Sequence, residues 1–133
     1  MSTSQERWTI TPTREAQLCL DDAAESVRFD VYLSLARQLP LILHQHGLGQ
    51  TLAYLEMRGG DRSNSPYQLL RQHLTHWLAM NLGLPEEDVL KSLTRTDSEG
   101  YVRATRAARH LLLALRMAAE DEILLQQSAG GQQ

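Results

Sequence analysis

Residues 38–60 read QLPLILHQHGLGQTLAYLEMRGG, and the fold turns on how this stretch is interpreted. Apolar residues recur at helical spacing but are interrupted by Pro40 and then by Gly47 and Gly49, with His44 and His46 beside the break. Closely spaced glycines can free backbone N–H groups to cradle an oxyanion, which would make this a phosphate loop. The third glycine of a dinucleotide fingerprint falls on Leu52, however, no strand pattern precedes it, and the Lys-Ser/Thr pair of a P-loop is missing. Glycine closes helices far more often. Gly47 is therefore read as the C′ residue that ends one helix, Pro40 as a kink or restart within it, and Leu48, Leu52 and Leu55 as the buried stripe of the next. The stretch is a corner between packed helices, and Gln50 is expected to cap or bridge it.

The same logic extends in both directions. Thr11-Pro12 is a helix start, with Ala16, Leu20, Ala23 and Val27 on one buried face, followed by Val31, Tyr32, Leu35 and Leu39. Gly59-Gly60 closes the helix after the corner. Ser65-Pro66 opens another, with Gln68 placed to complete a capping box and Tyr67, Leu70, Leu74, Trp77 and Leu78 as its stripe. Gly83 ends it. A short helix then starts with Glu86, Glu87 and Asp88 at the positive end of its dipole, and a turn capped by Thr96 or Asp97 leads into a long helix over about 99–125. The pattern predicts an all-α, compact single-domain bundle of five or six helices, spanning 11–125, with a flexible N-terminus at 1–10 and a disordered tail at 126–133.

Composition agrees and narrows the function. Of 133 residues 42% are hydrophobic but only 5% aromatic, and Leu and Ala dominate, which favours packed helices over sheets. The net charge of −3 makes the chain no general polyanion binder, so affinity for nucleic acid must come from a local patch. Cys19 is the single cysteine, which excludes an internal disulfide and suits a reducing compartment. The start MSTSQERWTI has no apolar core of signal-peptide length, and no apolar run is long enough to span a bilayer. A cytoplasmic protein without a membrane partner is expected.

Catalytic constellations are weak. His44 with His46 and His73 with His76 have spacings that can share a metal, but no cysteine and few acids lie near either pair. A metal- or acid-dependent enzyme built on His73 and His76 is the reading they leave open. No G-x-S-x-G elbow occurs, and the acid clusters 21–22, 86–88 and 120–122 read as solvated faces. No catalytic residue, metal or cofactor is expected.

The last helix, YVRATRAARHLLLALRMAAEDEILL, is more informative. At 100° per residue Ala104, Ala107, Ala108, Leu111, Leu115 and Ala118 form the core stripe. Arg103, Arg106, Arg109, His110 and Arg116 fall on the opposite arc, with no acid among residues 100–119. Such a stripe suits a nucleic-acid backbone. Leu113 and Met117 project from the same arc and mark a protein interface.

Two segments carry a resemblance. LARQLPLILHQHGLGQTLAYLEMRGG is similar to the core of the small α-helical subunit of the Cmr complex, the type III-B CRISPR RNA-silencing machine, at Leu39, Pro40, Ile42, Gly47, Leu48, Gln50, Leu52, Ala53, Tyr54 and Gly59. LTRTDSEGYVRATRAARHLLLALRMAAE resembles that subunit's closing segment at Tyr101, Ala104, Thr105, Arg106, Leu115 and Arg116. Ala107 and Ala114 depart from it, standing where an acid and an aromatic are expected. The resemblance implies a non-catalytic scaffold subunit in antiviral defence. It would stack with copies of itself in a filament, join other Cmr complex subunits, and line the channel for guide RNA and target RNA. Arg103, Arg106, Arg109 and Arg116 would then contact RNA, and Leu113 and Met117 would form the stacking contact. The alternative is a small helical interaction module that docks an acidic partner without RNA.

Overall fold

The structure, a computed structural model, describes residues 11–60, 64–95 and 97–131. These form five helices and no strand: α1 (Pro12–Ser26), α2 (Phe29–Gly59), α3 (Pro66–Leu82), α4 (Glu86–Arg95) and α5 (Ser98–Gly131). The N-terminus 1–10 lies outside the described residues, as does Thr96. The starts follow side-chain chemistry. Thr11 Oγ1 accepts the Arg14 N–H at 3.1 Å, Ser65 Oγ accepts that of Tyr67 at 3.2 Å, and Asp97 Oδ1 accepts that of Gly100 at 2.8 Å, each satisfying a donor that a helix leaves orphaned.

The 38–60 corner is a helix broken at one residue. Gly47 has φ 84° and ψ 171°, a region essentially reserved for glycine, so α2 is two rods joined there. Helical values are kept at Pro40, so the restart expected at that residue does not occur; a missing N–H removes one helix bond without ending the rod. Two bonds fasten the corner: Thr51 Oγ1 donates to the Gly47 carbonyl at 2.7 Å, and the Gly49 N–H donates to the Tyr101 hydroxyl of α5 at 3.0 Å. Gln50 does not cap or bridge it, because its side chain faces solvent and makes no hydrogen bond among the described residues. Gln68 likewise departs from its expected capping box. Its Nε2 donates to the Gly60 carbonyl, tying the end of α2 to the start of α3.

Helices α2 and α5 form the central pair, with α1 against α5, α3 against both, and α4 resting chiefly on α3. Leu39, Leu48, Leu52, Leu55, Leu70, Leu74, Leu78, Leu111, Leu112 and Leu115 fill the centre. The buried arc of α5 differs from the expected stripe. Leu112 and Ala119 are fully buried, whereas Ala107 and Ala118 are only half-buried, because the sector that α1, α2 and α3 together cover is turned toward the Leu112 and Ala119 edge of the helix. The helix also runs past the boundary at 125 to Gly131; residues 126–130 are exposed, and Gln126 bonds back to Glu122 at 3.4 Å.

Candidate nucleic-acid interface

The uncovered arc of α5 follows from the packing just described. Arg103, Arg106, Arg109, His110 and Arg116 are all exposed on it. Arg103, Arg106 and Arg109 have no carboxylate within ion-pair distance among the described residues. Arg116 differs, with its Nε 3.7 Å from Glu120 Oε1 in an exposed i,i+4 pair that offsets part of its charge. Leu113 is 40% and Met117 67% exposed, and Val102 and Leu124 extend the apolar line in both directions along the helix. A helical face that alternates unpaired guanidinium groups with bare apolar side chains can attract phosphates and also seat a protein surface.

One edge of the arc borders a groove where the last turn of α3 meets α5, lined by Asn81, Leu82, Arg103, Arg106, Ala107 and His110. The walls are joined through Trp77, whose indole N–H donates to the Ala107 carbonyl at 2.8 Å, while Asn81 Nδ2 donates to the Trp77 carbonyl at 2.8 Å. Asn81 and Leu82 carry no local signal for this role, because they reach the arginines only through the packing of α3 on α5.

His73 and His76 are engaged separately, each with its own acid. His73 Nε2–H donates to Asp22 Oδ2 at 2.7 Å and its Nδ1 accepts from the Tyr32 hydroxyl at 2.7 Å, whereas His76 Nδ1 pairs with Glu86 at 3.2 Å. The Tyr32–His73–Asp22 chain has the atom order of a catalytic triad, but Tyr32 is fully buried, and burial holds its hydroxyl well above the usual tyrosine range. It functions as a polar tie between α1, α2 and α3. Burial, with Glu15 and Asp22 nearby, also pushes the Cys19 thiol up to about 12, which leaves it a poor nucleophile. Among the described residues no three His, Cys, Asp or Glu side chains gather as a metal site, and no helix is long and apolar enough to cross a membrane.

The small bundle leaves one face of its longest helix, studded with arginines and apolar side chains, open for contact. The model of the family described as CRISPR-associated protein (Cas_Cmr5) matches residues 14–121, and the chain belongs to that family, the small subunit of the type III-B CRISPR Cmr complex. Both resembling segments lie within the match, and membership implies the other Cmr subunits as partners. No curated protein and no solved structure matches the chain.

Proposed function

We propose that the protein is a non-catalytic, cytoplasmic scaffold subunit that stacks in several copies along the Cmr complex and lines the channel for guide and target RNA. The observation that carries this reading is the set of exposed arginines on α5, three of them without an acidic partner among the described residues, in a chain of net charge −3. Arg103, Arg106, Arg109 and Arg116 neutralise phosphates without reading sequence, since the guide reads by base pairing. Leu113 and Met117, with the apolar line that continues them, form one face of a head-to-tail contact, which requires two different complementary surfaces.

The exposed apolar line also supports a second reading, in which the arc docks an acidic protein partner and no RNA is bound. Competition by single-stranded RNA separates the two. The double change Arg106→Glu and Arg109→Glu should weaken RNA association about tenfold or more while leaving the helical circular dichroism spectrum unchanged. Undiminished RNA binding by that folded variant removes the arc from the function. Co-purification from native cells should recover Cmr subunits with short guide RNAs; recovery of unrelated acidic proteins without RNA favours the second reading.

A further inference from the structure

The sequence presents the basic arc as uniform, but the tertiary structure divides it. The groove at the end of α3 has a volume of about 300 Å³, and only Arg103, Arg106 and His110 of the arc line it. These stand at i, i+3 and i+7, on one flank of α5. Arg109 and Arg116 lie outside the lining.

Three basic groups beside a helix C-terminus have an ordinary use, which is to cap its last carbonyls. Here the capping bonds come from within the chain, since the N–H groups of Gly83 and Leu84 both return to one of the last carbonyls of α3, that of Ala79. Among the described residues Arg103, Arg106 and His110 make no hydrogen bond to α3, and none has a carboxylate partner. The two walls are already joined by the Trp77 indole bond to Ala107, and Asn81 is fixed on its own helix by its bond to the Trp77 carbonyl, so Arg103, Arg106 and His110 surround a formed gap and do not have to be gathered by a ligand.

We propose that this groove is a discrete phosphate site that holds one phosphodiester of an RNA strand between Arg103, Arg106 and His110. The proposal rests on the RNA-lining reading above and goes further in making these residues unequal to Arg109 and Arg116, which supply only general attraction. Guanidinium forks match phosphate oxygens in bidentate geometry, and a gap of this size lies at the small end of ligand pockets, with room for a phosphate and its sugar.

The test uses the full chain and a single-stranded uridine oligoribonucleotide, read by fluorescence anisotropy. Two double variants that lose the same charge are compared: Arg103→Ala with Arg106→Ala, and Arg109→Ala with Arg116→Ala. Loss of charge-assisted hydrogen bonds should weaken the first about tenfold or more, and loss of general attraction should weaken the second less than about threefold. Inorganic phosphate should also shift the Trp77 indole N–H resonance of the wild-type chain but not that of the first variant. Equal losses in the two variants, or a Trp77 signal that phosphate leaves unmoved, overturn the discrete site while the RNA reading stands. Absence of RNA binding by the wild-type chain overturns that reading, and this inference with it.

Discussion

Gly47 and Tyr101 show how much of the corner rests on single residues. With φ 84° and ψ 171° Gly47 occupies a region closed to side chains, and Gly47→Ala should cost about 1–3 kcal/mol. Removing the hydroxyl that accepts the Gly49 N–H, in Tyr101→Phe, should cost about 1 kcal/mol, since water can reach that exposed donor. Urea unfolding measures both, and a Gly47→Ala variant as stable as the parent would mean that the backbone turns elsewhere. Gly47 was legible in the sequence because glycine's conformational freedom is a local property. The clamp was not, because Gly49 and Tyr101 are brought together only by the packing of α5 on α2. The same distance explains Gln50: a polar residue at a corner looks like a cap until the fold shows which way it faces.

At the scale of the helix, α5 places two adjacent leucines in opposite environments. Leu112 is fully buried and Leu113 is 40% exposed. Leu112→Ala should destabilise by about 2–5 kcal/mol through the cavity it leaves, whereas Leu113→Ala should change stability by less than about 0.5 kcal/mol. Equal losses in thermal or urea unfolding would mean that α5 is rotated from the orientation described here. The exposed basic arc follows directly from helical periodicity, because arginines at such spacing share a face in any helix. The direction in which the buried sector is turned does not, since it is set by where the neighbouring helices lie. Periodicity therefore located Ala104, Ala108, Leu111 and Leu115 but missed Leu112 and Ala119.

Across the whole molecule, the buried thiol and phenol link stability to pH. The Cys19 thiol, ordinarily near 9.0, is pushed up to about 12 in the fold, chiefly by burial. Above pH 9 the unfolded chain therefore releases this proton while the folded chain retains it, so stability present below pH 9 is lost as pH rises toward 12. The fall should approach about 1.4 kcal/mol per pH unit, with Tyr32 adding loss in the same direction at higher pH. Urea midpoints should decline from pH 9 upward, and Cys19→Ala should flatten the first part of that decline; an unchanged slope in the variant removes Cys19 from the effect. The sequence by itself determined the class of fold, the helix starts at Thr11-Pro12 and Ser65-Pro66, the stops at Gly60 and Gly83, the break at Gly47 and the cationic face of α5. These depend on propensity, capping and periodicity, which act over a few residues. Only the tertiary structure decided that Tyr101 holds the corner, that His73 ties three helices together, and that Asn81 and Leu82 close a groove beside Arg103, Arg106 and His110. Those arrangements join residues far apart in the chain, and their geometry is set by packing, which no local pattern encodes.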